Sequence, residues 1–193
     1  MRACRVPILC SSLVILALGL AGCGNSPKLR HDADAENFGV YVNAGPITYQ
    51  LQISRELNGF STEDAQYLAG LPKGTTPPSA TQEWYGVFMW AWNQNKHYQT
   101  TATPSNFDII DTQGNMYHPE PINPLLNPYQ WTSQRLAPKQ TEPQPDTTAY
   151  FGPTQGQLLL FKINTTAYAN RPLTLQIRGG ALDEVEATIP LDQ

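Results

Sequence analysis

The chain has 193 residues, with 12 Lys and Arg against 16 Asp and Glu, a net charge of −4 and three cysteines. That length suits one domain with a tether. The absence of a basic stripe argues against nucleic acid as a partner.

The first element is an apolar run at residues 6–20, preceded by Arg2 and Arg5. It is shorter than the roughly 20 residues a bilayer-spanning helix needs, and it suits the core of a secretory signal. It ends in Leu20-Ala21-Gly22-Cys23. Small residues before a cysteine predict a lipoprotein signal, cut between Gly22 and Cys23, with a diacylglycerol on the Cys23 thiol. Residues 1–22 are then removed, and Cys4 and Cys10 leave with them. The folded part keeps no cysteine for a disulfide, a thiolate metal site or a nucleophile. Loss of Arg2 and Arg5 brings the net charge to −6. The expected address is the outer face of the bacterial cytoplasmic membrane, in the cell envelope, with lipid as the attachment. One acyl chain holds weakly and two or more hold stably.

Residues 23–35 read as the lipidated Cys23 and a polar, flexible tether, which reaches at most about 40 Å when extended. Residues 36–193 read as the folded domain. Residues 38–42 form a short β-type run closed by Asn43-Ala44-Gly45-Pro46. Ile47, Tyr49, Leu51 and Ile53 then alternate with Thr48, Gln50, Gln52 and Ser54, the period of a half-buried strand. Residues 61–70 read as a helix of about two turns, with Ser61 as cap, Asp64 three residues on as in a capping box, and Gly70 at the stop. Residues 73–80 are a loop.

Residues 83–93 are the most apolar stretch of the mature chain. Trp84, Phe88, Trp90 and Trp92 share one face, and Tyr85, Val87, Met89 and Ala91 share the other. Two apolar faces predict a central strand buried on both sides, and the aromatic content favours strand over buried helix. Residues 107–110 and 116–117 flank a Gly-containing turn and predict a hairpin. Residues 119–156 hold eight of the 17 prolines. Proline is excluded from central strands and helix interiors, so long loops and edge pieces are expected there. Strands follow at 157–163, 173–178 and 184–189, with one helical turn between the first two. Seven or eight short strands separated by turn signals predict an all-β, antiparallel β-sandwich with one short inserted helix.

Three pieces of this pattern are similar to the immunoglobulin-like, telokin-like extracellular domains of bacterial surface lipoproteins. They are the aromatic strand from Trp84 to Asn93, the pattern Phe107-x-Ile109-x-Asp111-x-x-Gly114-Asn115-x-Tyr117-x-Pro119, and Gly156-Gln157-Leu158-Leu159-Leu160-Phe161-Lys162-Ile163. The resemblance covers roughly residues 36–190 and implies an immunoglobulin-like sandwich without enzymatic activity. The long proline-rich insertion and the Trp84, Trp90 and Trp92 set depart from that pattern.

No set of nucleophile, base and orienting residue is legible, so no enzyme and no cofactor is expected. Met116 and His118 lie on one face of a strand and offer a thioether and an imidazole to a soft metal such as copper, the alternative reading as a metal carrier. Ordinary surface polar side chains are the favoured reading of the pair, since the mature domain has no cysteine to complete a copper site. Asp108, Asp111 and Asn115 depart from the calcium-loop spacing and suit a tight turn. Trp84, Phe88, Trp90, Trp92, Phe107 and Phe161 are expected in the core. Tyr129, Trp131, Tyr150 and Phe151 lie in or beside the proline-rich loops. They form either a contact surface for a protein or carbohydrate partner or a lid over the core edge.

Overall fold

The computed structural model describes residues 31–32, 40–96, 101–179 and 182–191. The signal run, Cys23 and His97 lie outside them. In chain order the strands and helices are β1 (His31–Asp32), β2 (Val40–Ala44), β3 (Ile47–Leu57), α1 (Thr62–Ala65), β4 (Gln82–Asn93), β5 (Thr101–Ala102), β6 (Asn106–Ile110), β7 (Met116–Tyr117), β8 (Arg135–Leu136), β9 (Thr141–Glu142), α2 (Thr148–Phe151), β10 (Gln157–Asn164), β11 (Thr174–Gly179) and β12 (Glu184–Pro190). Single 3₁₀ segments occupy Gln66–Leu68 and Thr165–Asn170. Strand β1 falls within the segment read as tether.

The larger antiparallel sheet runs β1-β2-β3-β4-β10, and β9 pairs with the far end of β4. The smaller runs β12-β11-β6-β7. Their inner faces meet in one core. Val42, Tyr49, Val87, Met89 and Phe161 face Phe107, Ile109, Leu175, Ile177 and Ile189 across it. Fully burying a side chain of this size contributes about 1.5–3 kcal/mol, so this layer supplies most of the driving force. This is the all-β antiparallel sandwich that the alternation predicts.

Strand β4 is buried on two sides, as its composition requires. Its outer residues Trp84 and Phe88 pack with Leu158 and Leu160 of β10 beneath a second apolar layer made of Tyr67, Ile122, Tyr129 and Ala149. That layer is built from α1, the following 3₁₀ turn, the 119–131 loop and α2. The loop also protects the free edge of β10. Trp131 N donates to Leu158 O (2.9 Å), Leu158 N to Tyr129 O (2.6 Å) and Glu120 N to Leu160 O (2.7 Å). An unpaired edge invites association with other chains, and this segment fills it.

The helix predicted at 61–70 is shorter than its signals suggest. Ser61 accepts from Glu63 N at 3.2 Å, but one α turn passes directly into 3₁₀ geometry. Asp64 turns away from the cap to meet Arg55 (2.6 Å) and Asn58 N (2.9 Å). Asn127 Nδ2 donates to Tyr67 O and Ala69 O, both at 3.0 Å, and closes the end. The segment is held by the sheet beneath it, where Tyr67 packs edge-on to Phe88 with ring centres 4.9 Å apart.

Strand β3 carries a bulge between Leu51 and Ile53. The extra residue switches the faces, so Ser54 and Glu56 take the inward positions that Tyr49 and Leu51 hold earlier. The sandwich is therefore apolar at one end and polar at the other.

Glu142, on β9, is fully buried. Thr103, Gln134 and the Thr132 backbone N–H face its carboxyl. Among the described residues neither carboxyl oxygen completes a hydrogen bond. Burial pushes its pKa from 4.5 up to about 7, against the smaller opposing effect of those three neighbours. The folded state then holds this proton more tightly than the unfolded chain. Stability is greatest below the unfolded value, falls as pH rises through the interval, and levels off above about 7. Glu142→Gln should remove that slope and raise stability at about pH 8 by an amount on the order of 2–3 kcal/mol, with little change near about pH 4.5. Urea unfolding of both proteins at the two pH values checks this, and parallel pH profiles would contradict it.

Candidate functional surface

The four loop aromatics separate in the structure. Tyr129 and Trp131 are only 3% and 5% exposed. Tyr129 stacks edge-on to Tyr67 at 4.9 Å and its hydroxyl donates to Gln66 Oε1 at 3.0 Å. Trp131 lies against Phe107 at 5.2 Å, and its Nε1 donates to Pro104 O at 3.0 Å. Both are lids with their polar atoms satisfied inside the protein, which corrects the reading of these two as a contact surface. Phe151 is 66% exposed, and Tyr150 is half-buried between Phe151 and Trp90, with ring centres 4.7 Å from each.

Trp92 departs from the core expectation in the opposite sense, at 45% exposed. The reason lies in the register. Strand β10 begins at Gln157 opposite Met89, and beyond it that edge of β4 is flanked only by the two-residue β9. The second apolar layer stops at α2, where Tyr150 covers half of Trp90. Past that point the outer face of the sheet has no layer over it among the described residues.

The strand pairing sets the layout of this uncovered half. Tyr41, Gln50 and Trp90 stand side by side across β2, β3 and β4. Asn43, Thr48 and Trp92 form the next row, which Thr141 of β9 extends. Thr48 Oγ1 donates to Asn43 Oδ1 at 2.7 Å, and Gln94 Nε2 donates to Asn43 Oδ1 at 3.1 Å and to Thr48 Oγ1. A neutral network of amides and a hydroxyl thus borders an exposed indole. Single features gave no sequence signal for this arrangement. The polar alternation of β3 and the Trp90–Trp92 spacing would have located it only with the register in hand.

Met116 and His118 do share the outer side of the smaller sheet. Met116 is exposed, and His118 Nδ1 lies 2.5 Å from Asp108 Oδ1, with Arg178 Nε 3.8 Å from the second Asp108 oxygen. Among the described residues no group of three or more His, Cys, Asp or Glu side chains stands ready for a metal ion. Asp111 is a turn residue. Its carboxylate accepts from Gln113 N, Asn115 N, Asn115 Nδ2 and Asn170 Nδ2, at 2.8–3.0 Å. Burial acts to raise its pKa, but these bonds outweigh it and hold the carboxyl below the usual range.

A cleft of about 380 Å³ opens at the polar end of the sandwich, lined by Ser54, Glu56, Tyr85, Tyr168 and Arg171 among others. Its polar groups are largely tied to the protein itself. Ser54 Oγ donates to Leu191 O at 2.8 Å, and the Arg171 guanidinium lies over the Tyr168 ring at 4.8 Å. The uncovered sheet face, with its exposed aromatic and amide groups, is the better candidate for recognition.

No family model, curated protein or solved structure matches the chain.

The two groups of loop aromatics should behave differently on truncation. Trp131→Ala leaves a cavity in the main core and should cost about 3–5 kcal/mol, whereas Phe151→Ala should stay within about 0.5–1 kcal/mol of the parent. Chemical denaturation measures both, and equal losses would contradict the placement of Trp131 as a lid.

Proposed function

We propose that this chain is a non-catalytic, lipid-anchored protein of the bacterial cell envelope, with a β-sandwich that serves a binding or architectural role. Leu20-Ala21-Gly22-Cys23 after a short apolar run supports the anchor. The resemblance to telokin-like domains of surface lipoproteins supports the same reading. The observation that carries the binding role is the half of the larger sheet's outer face that no second layer covers among the described residues, where Trp92 stands exposed beside a neutral polar network. A sheet that buries four aromatic or aliphatic residues of β4 and β10 under loops, yet leaves an indole bare four residues after Phe88, keeps that indole for contact. The net negative charge of the mature chain fits a partner other than nucleic acid.

The anchor is tested in living bacterial cells. With labelled palmitate, the wild-type chain should take up label and sediment with the membranes. Cys23→Ala should take up none and keep its signal uncut. Label retained by Cys23→Ala would overturn the anchor.

A further inference from the structure

We infer that the uncovered half of the larger sheet's outer face is a platform for a neutral carbohydrate chain. This rests on the binding role proposed above and gives that role a ligand class.

Neighbouring strands lie roughly 4.8 Å apart and alternate residues roughly 6.8 Å apart, so one row across three strands and one across four cover at most roughly 14 by 7 Å. That is on the order of 100 Å² of flat face, far below the roughly 800 Å² per partner that a stable protein interface buries. Phe151 and Ile53 at the margins enlarge the area without closing that gap. A second copy of the chain or a folded partner would find too little surface here. A short run of sugar rings matches it.

Chemistry narrows the ligand further. A pyranose presents polarised C–H bonds on a flat side and hydroxyls around its rim. The negative π-face of an aromatic ring suits the first. Amides and hydroxyls, each able to donate and accept, suit the second. Each row combines both kinds of group. Trp90 stands in line with Gln50 and Tyr41, and Trp92 with Thr48 and Asn43. The Gln50 side-chain amide has no hydrogen-bond partner among the described residues, so it is available between two aromatic neighbours. None of these six side chains is charged at neutral pH, which disfavours phosphate, a basic peptide or an acidic glycan as the main ligand. The Asn43–Thr48–Gln94 contacts hold the polar groups in place before any ligand arrives, and this reduces the entropy lost on binding.

The test uses the full chain purified in detergent micelles. It measures tryptophan fluorescence against cellohexaose, chitohexaose and mannohexaose, with hexagalacturonate as the acidic comparison. At least one neutral oligomer should bind, and more tightly than hexagalacturonate. Trp92→Ala should weaken that binding about tenfold or more, and Thr48→Val by a smaller factor, with melting temperatures close to the parent. Binding of none of the neutral oligomers overturns the inference, as does binding unchanged in Trp92→Ala. Self-association of the parent that Trp92→Ala abolishes, without glycan binding, also overturns it and assigns the face to contacts between copies. Failure here, with palmitate labelling at Cys23 intact, removes the ligand class and leaves the anchor standing.

Discussion

Strand β4 has apolar side chains on both faces, and the rest of the structure depends on covering them. Its inner residues Tyr85, Val87, Met89 and Ala91 can be buried by another sheet, and the strands β6, β11 and β12 supply it. Its outer residues need a second cover. The chain answers with segments that carry little regular structure: the turn at 62–68, the 119–131 loop and the single turn of α2. This explains why so many prolines are concentrated between β7 and β10. The segment has to follow the sheet surface closely and fill the edge of β10 through backbone groups, without becoming a full strand of its own. Tyr67, Tyr129 and Phe88 form the centre of that outer layer, with edge-on rings about a van der Waals contact apart.

Coverage stops where neighbours stop. Strand β10 accompanies β4 only as far as Met89, and α2 reaches only as far as Trp90. The same strand is therefore deeply buried at Trp84 and Phe88, half-buried at Trp90 and open at Trp92. Beside this open end the outer positions of β2 and β3 are Asn43, Thr48 and Gln50, so the surface changes from apolar to mixed over the width of two strands. The proposed binding role falls at that change, where the sheet holds both kinds of group in fixed register. The polar cleft at the other end of the sandwich arises separately, from the bulge in β3 that turns Ser54 and Glu56 inward.

Much of the fold was legible because strand patterns are local. The alternation over 47–51, the two apolar faces of 83–93, the turn between Ile110 and Met116 and the closing strands at 157–163, 173–178 and 184–189 each follow from period two and from turn chemistry, whereas Ile53, expected on the buried face, is turned out by the bulge and is 42% exposed. The extent of β3 to Leu57 was less visible, since the bulge after Leu51 breaks the alternation. Burial of single aromatics was not legible. Whether Trp92 is covered depends on where β10 starts, 65 residues further along the chain. Whether Trp131 is exposed depends on the pairing of a proline-rich loop with Leu158. Glu142 shows the same limit. No local signal marks it as buried, because its environment is assembled from residues near 103, 132 and 134 and from the end of β4.

Strand β4 carries a gradient of cover along its outer face, ending in an open indole. Hydroxyl-radical footprinting of the native protein, read by mass spectrometry at each tryptophan, tests it most directly. Trp92 should be modified fastest, Trp90 more slowly, and Trp84 and Trp131 least, with all four rates converging in denaturant. A Trp92 as protected as Trp84, or a Trp131 modified as fast as Trp92, would contradict the account.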